Sequence, residues 1–217
     1  METFFVFKVS NCTFAPIMRE KILTNATDLF LNYGFKSITM DDISNHIGIS
    51  KKTIYQHFDN KTTLVEAVSL HVFNTISCGI NDICSTKKDP IEEIFDIKQF
   101  VMEHLKDEKS SPQYQLQKYY PKIFNTLKKK QFDVMQQCVK DNLLRGVEIG
   151  LYRPSINIEF ISRIYFNSMV ALKDKELFPL NHFSVNTLMV YFLEYHLRGI
   201  CTEKGLLTLN KFIKNQS

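Results

Sequence analysis

Tryptophan is absent from this chain, and seven glycines and six prolines are few for 217 residues. Few turn-forming residues exclude a sheet of many short strands, which needs a tight reversal after each one. The cysteines, Cys12, Cys78, Cys84, Cys138 and Cys201, are odd in number and scattered. They form no CxxC pair and have no histidine at zinc-ligand spacing, which excludes a zinc ribbon and a disulfide framework. Reduced thiols in a cytoplasmic protein are the expectation.

The six histidines, at 46, 57, 71, 104, 182 and 196, show no HExxH or equivalent pattern. There is no glycine-rich phosphate loop and no GxSxG nucleophile elbow. Glu194 and His196 are close in sequence but fall on different sides of a helix. Glu92, Glu93 and Asp96 read as an acidic helix start that favours the helix dipole. No catalytic residue, metal or cofactor is expected. The opening "METFFVFKVSNCTFAP" begins with Glu2 and places Lys8 inside its apolar run, unlike a signal peptide. It reads as an extension, residues 1–17. No later stretch is expected to reach membrane-spanning length, so a cytoplasmic protein without a membrane partner is predicted.

Hydrophobic residues make up 44% of the chain, enough for a packed core. Net charge is only +4, so any nucleic-acid binding must come from locally focused bases. Apolar residues recur at helical spacing throughout, and an all-α fold is expected. From Met18 to Tyr33 the series is Ile22, Ala26, Leu29, Phe30 and Tyr33, closed by Gly34. Thr39 reads as the N-cap of a short second helix with Asp41 and Asp42 in its first turn and Ile43 and Ile47 inward. Gly48 breaks that helix, and Ser50 can cap a third.

In the third helix Ile54 and Phe58 lie four apart and face the other two helices. Lys51, Lys52, Thr53, Tyr55, Gln56 and His57 remain on the outward surface. Two helices joined at a glycine turn, the second presenting bases and hydroxyls, form a helix-turn-helix, whose second helix fits the major groove of duplex DNA. Lysines and hydroxyls can donate to phosphates and to purine acceptors there.

The stretch "LFLNYGFKSITMDDISNHIGISKKTIYQHFDNKTTLVEAV", residues 29–68, closely resembles the DNA-binding domain of TetR-type (TetR/AcrR) transcriptional regulators. Its most specific part is the series Gly-Ile-Ser, Thr-Ile-Tyr, His-Phe and Asn-Lys. The resemblance implies that Lys51, Lys52 and Thr53 approach bases or nearby backbone, and that Thr39, Tyr55, His57 and Lys61 hold phosphates. With Ser50 and Gln56 these form the expected DNA-contacting set. Two residues depart from the family pattern. Ile47 stands where a small alanine is usual, implying altered inter-helix packing. Thr63 stands where an acid is frequent, implying a weakened capping box after Asn60.

A fourth helix follows Asn60, with Leu64, Val68, Val72, Ile76, Ile80 and Ile83 on one stripe, ended by Lys87 to Pro90. By resemblance it is a connector that transmits movement to the DNA-reading helices. The predicted division is 1–17 extension, 18–64 helix-turn-helix domain and 65–217 helical effector-binding and dimerisation domain. Helices are predicted at 91–106, 112–119, 121–151, 157–174, 184–198 and 206–213. "KKK" at 128–130 reads as a solvated turn.

A pocket for a small-molecule effector is expected between the connector and the helices at 91–106, 121–151 and 157–174. Its predicted lining is Phe73, Phe100, Met102, Tyr120, Phe124, Phe132, Met135 and Phe166, because rings and thioethers accept varied shapes. A two-fold homodimer is expected through the helices at 157–174 and 184–198, by way of Ile161, Tyr165, Met169, Leu188 and Phe192. The expected function is a repressor released from a palindromic, double-stranded operator by an apolar or amphipathic ligand. The alternative is a DNA-binding protein whose second domain makes protein contacts and senses nothing.

Overall fold

A computed structural model describes residues 17–105, 112–174, 176–179 and 181–216, with side chains to Lys214. Residues 1–16 of the expected extension, and Lys106 at the end of the predicted 91–106 helix, lie outside the described residues. The described chain is α-helical: α1 Ile17–Tyr33, α2 Met40–Ile47, α3 Lys51–Tyr55, α4 Lys61–Ser85, α5 Pro90–His104, α6 Pro112–Tyr119, α7 Pro121–Glu148, α8 Ile158–Ala171, α9 Val185–Ile200 and α10 Glu203–Gln216.

The helix starts follow from their caps. Thr39 Oγ1 accepts from Asp42 N, while Thr39 N donates to Asp42 Oδ2, a reciprocal box that fixes the start of α2. Gly48 then turns the chain at φ +73°, a left-handed setting that a Cβ would strain. Ser50 Oγ accepts from Thr53 N to start α3. The box at α4 is complete, contrary to the weakening expected from Thr63. Asn60 Oδ1 accepts from Thr63 N at 3.0 Å, and Asn60 N donates to Thr63 Oγ1 at 3.2 Å. The threonine hydroxyl replaces the usual carboxylate because it too is an acceptor within reach.

Two main cores result. The first joins α1 to α4 through fully buried Ile22, Ala26, Phe30, Ile43, Ile54 and Leu64, and takes in Leu116 of α6 and Ile123 and Leu127 of α7. Ile47 packs on its margin, half-buried. The second joins α5, α7, α8, α9 and α10 around Ile91, Leu143, Tyr152, Leu193 and Leu209. Helix α4 runs between them, with Leu64, Val65 and Val68 buried at one end and Ile80 at the other. By length and composition alone α4 could cross a membrane, which corrects the expectation that no stretch is long enough. In this fold it packs against α1, α5 and α7.

The acidic start of α5 does more than meet a helix dipole. Glu93 is fully buried. It accepts from Arg145 Nη2 at 2.5 and 2.6 Å and from Asn142 Nδ2 at 2.8 Å. Asn142 Oδ1 in turn accepts from Tyr152 OH. A buried carboxylate needs such a partner set, and this one fastens α5 to α7.

Candidate functional site

The residues expected to touch DNA gather at one end of the molecule. Lys51, Lys52, Tyr55 and Gln56 are exposed on α3 and the turn after it, and Thr53 and His57 are half-buried beside them. Ile54 and Phe58 point the other way and are buried in the first core. The hydroxyls of Thr39 and Ser50 sit at the adjacent helix starts, already engaged as caps. Lys61, half-buried, donates to Lys36 O at 3.3 Å. Burial pushes its pKa down from the usual lysine value.

Two acids lie among these bases. Lys51 Nζ pairs with Asp41 Oδ2 at 2.8 Å, and both groups are solvent-exposed. The hydrogen bond from Lys51 raises that lysine's pKa. Asp42 is held below the usual carboxylate range, first by the Thr39 hydroxyl and then by the Thr39 amide. Both acids belong to α2, so the cations of α3 are set against them. A face of this kind offers donors to a polyanion without a large field of one sign.

Behind the first core lies a cavity of about 230 Å³ with mostly apolar walls. Its walls come from Val72, Phe73, Ile76 and Ile80 of α4, Ile94, Ile97 and Val101 of α5, and Phe124, Met135 and Leu143 of α7. Tyr165, Phe166, Met189 and His196 of α8 and α9 complete that side. Four of the eight predicted lining residues are among them: Phe73, Phe124, Met135 and Phe166.

The other four are placed elsewhere by helical phase. Phe100 stacks on His104 at 4.0 Å and fills the space beside Gly79. Met102 is buried in a small cluster with Leu172, Val185 and Leu188. Tyr120 packs edge-on against Phe35, centroids 6.4 Å apart. Phe132 meets Phe166 edge-on at 5.1 Å, under the guanidinium of Arg163.

Several wall residues had no signal in the sequence. Leu31 and Phe35, from the end of α1 and the turn after it, line the cavity, as do Pro112, Gln113 and Leu116 of α6. Lys98, Lys128 and Lys173 also line it. Lys128 belongs to the "KKK" turn, which is exposed as expected. Burial depresses the pKa of His196 to about 4, so its ring is neutral at neutral pH. It touches Tyr165 and Phe192, while Glu194 pairs outward with Arg198.

The expected dimer face is turned largely inward. Tyr165 and Leu188 are buried within the chain, and Ile161, Met169 and Phe192 are half-buried against its own cores. The outward faces of α8 and α9 carry other apolar residues: Phe160 59% exposed, Ile164 42%, Tyr191 63% and Tyr195 78%. Both helices are apolar on more than one side, so spacing alone does not tell the inward face from the outward one.

Residues 22–68 match the family of bacterial regulatory proteins of the tetR type. A stretch of 57 residues is 39% identical to the negative transcriptional regulator of the icaADBC biofilm operon, IcaR, of Staphylococcus epidermidis. That stretch is 26% of this chain and 31% of the relative, so the chain spans under a third of the length of the curated relatives it matches. Among solved structures, the regulatory protein TetR of Rhodobacter sphaeroides superposes with TM-score 0.68 at 11% identity, over 85% of this chain and 100% of that one. SmeT, the repressor of a Stenotrophomonas maltophilia multidrug efflux pump, superposes with TM-score 0.64 at 16% identity, over 85% and 91%. At such identities the likeness is one of fold, and it runs through the helices behind the matched residues as well. Residues 22–68 thus carry the match to tetR-type regulatory proteins, and the helices behind them share the fold of the solved regulators.

Proposed function

We propose that this protein is a repressor that binds a two-fold operator as a homodimer and is released by a small molecule seated in the cavity. The observation that carries the ligand response is the shared wall. Leu31 and Phe35 belong to the body that holds α2 and α3, and they line the same cavity as α4, α5 and α7. A molecule that fits the cavity better when these walls are displaced moves the reading helices with them. Equal affinity for both settings would shift nothing.

The cavity's chemistry selects an apolar or amphipathic ligand. Its walls are apolar, its volume exceeds that of an engineered 150 Å³ cavity that admits benzene, and three lysines line it. An apolar or amphipathic molecule meets such walls. Of solved relatives by fold, SmeT has been captured in a complex with triclosan. A wall shared with the DNA-reading body favours ligand sensing over a second domain that only makes protein contacts.

The homodimer rests on the exposed rings and aliphatics of α8 and α9, a face that a second copy covers most simply. As a regulator of DNA it works in the cytoplasm. The function is tested by selecting bound sequences from random duplexes, then asking whether apolar or amphipathic small molecules weaken binding to the winner. By linkage the duplex must weaken the ligand by the same factor. Selection of a duplex that no cavity ligand can displace would leave a DNA-binding protein and remove the sensor.

A further inference from the structure

Cys84, near the C-terminal end of α4, and Cys138, midway along α7, bring their Sγ atoms to 3.0 Å. They are 54 residues apart, so only the packing of the connector on α7 unites them. Among the described residues this is the one pair of thiols in contact. Both are half-buried, whereas Cys78 is exposed and Cys201 is buried. A disulfide needs its sulfurs about 2 Å apart, so closure requires a movement of about an ångström. Rotation of two cysteine side chains can supply it.

The pair is also chemically uneven. Either sulfur can donate in the contact between them, and with Cys138 as donor the hydrogen bond lowers the pKa of Cys84. The same bond, followed by burial, raises the pKa of Cys138. Arg145 favours the Cys84 thiolate as well, against the opposing charges of Glu93 and Asp141. A thiolate that is partly reachable from solvent beside a second thiol is the arrangement in which oxidation ends in a disulfide.

We propose that Cys84 and Cys138 form a reversible redox site, closing to a disulfide that staples α4 to α7 and alters DNA binding. The oxidant is a peroxide. The Cys84 thiolate attacks one oxygen of hydrogen peroxide, the O–O bond breaks, and hydroxide leaves behind a sulfenic acid. Cys138 then attacks that sulfur, the S–S bond forms as the S–OH bond breaks, and the departing hydroxide takes the Cys138 proton as water. The proton first lost from Cys84 neutralises the earlier hydroxide. Two electrons pass from the sulfurs to the peroxide, giving one disulfide and two waters.

The staple would bear on function because of where it sits. Cys138 lines the cavity, and α4 carries Ile76 and Ile80 on the same wall and Lys61 at the reading end. A covalent tie at the far end of α4 restricts the settings this connector can adopt. The effect on DNA rests on the repressor function proposed above; the disulfide does not.

The test uses the full chain, reduced and then exposed to hydrogen peroxide. Digestion without reductant should yield a peptide pair joined through Cys84 and Cys138 that dithiothreitol separates. Cys84→Ser and Cys138→Ser should each abolish it, and Cys78→Ser should not. Affinity for the selected duplex should differ between the reduced and cross-linked protein by about 5-fold or more, and Cys84→Ser should bind equally before and after peroxide. Peroxide that yields only sulfinic or sulfonic acid, with no cross-link, would overturn the redox site. A cross-link that leaves affinity unchanged would overturn its regulatory role. A reduced protein that binds no duplex would overturn that role together with the repressor function, while the mapping still decides the disulfide.

Discussion

Lys36 N donates to Gln115 Oε1 at 3.0 Å, across 79 residues of sequence. The first residue lies in the turn between α1 and α2, the second on α6. Nearby, the Gln115 amide occupies the space where a side chain on Gly34 would begin, 2.2 Å from that Cβ position. Leu116, the next residue, is buried in the core that holds α1 to α4 and also faces the cavity. Helix α6 is therefore placed between the cavity and the core that holds α1 to α4. Gln115→Ala should leave operator affinity near the parent's while lowering the ligand's effect on it, read by repeating the displacement titration. An unchanged ligand effect would remove α6 from the coupling.

Gly34→Ala should be destabilising for two reasons that add. Its φ of +90° is unfavourable for any Cβ, and Gln115 stands in the way. The left-handed setting alone costs about 1–2 kcal/mol, so a loss of at least that size is expected in urea unfolding.

Arg145→Ala leaves the buried Glu93 carboxylate without its cation. Breaking a buried pair by removing one partner costs about 3–5 kcal/mol, and Arg145 is only partly buried, so the lower end is expected. Chemical denaturation of the variant measures it. A loss under about 1 kcal/mol would mean the pair behaves as a surface pair.

His196 makes stability depend on pH. Its pKa falls from 6.5 in the unfolded chain to about 4 in the fold, because burial disfavours the charged ring. The unfolded state thus binds the proton first as pH drops. Stability from this group is complete above about pH 6.5 and is lost as pH falls towards 4. The shift corresponds to about 3 kcal/mol. His196→Gln should flatten the stability curve over that window, read as denaturation midpoints from pH 7 to pH 4.

Tyr191→Glu with Tyr195→Glu should split the dimer, because both rings are exposed on the outer face of α9. Sedimentation of the double variant should show a monomer where the parent is a dimer. A parent that is already a monomer at micromolar concentration would remove the interface.

The local sequence exposed the starts of α2, α3 and α4 almost completely. Thr39, Gly48, Ser50 and Asn60 act through neighbours three or four residues away, and that chemistry is visible in a linear string. Ile54 and Phe58 likewise set the phase of α3 unaided. Behind it, periodicity found α4 to α10 but not which side of each faces the cavity. Helices α8 and α9 are apolar around most of their circumference, so Tyr165 and Leu188 could be given to a partner when they belong inside. Phe100 and Met102 failed as cavity residues for the same reason, being apolar in phase with α5 yet turned to other neighbours. Glu93 with Arg145, Lys36 with Gln115, and Cys84 with Cys138 are pairings 52, 79 and 54 residues apart, and no local rule reports them.

Binding of the selected duplex by the parent and by a variant with Lys51, Lys52, Thr53 and Tyr55 all replaced by alanine is the most direct measurement. Each phosphate-binding lysine removed should lower the salt slope by about one unit, and each base-reading residue removed should cost roughly 1–3 kcal/mol. The combined variant should therefore lose specific binding while remaining folded, because Lys51, Lys52 and Tyr55 are exposed and Thr53 is only half-buried. An unchanged affinity and salt slope in a folded variant would show that α3 does not read DNA.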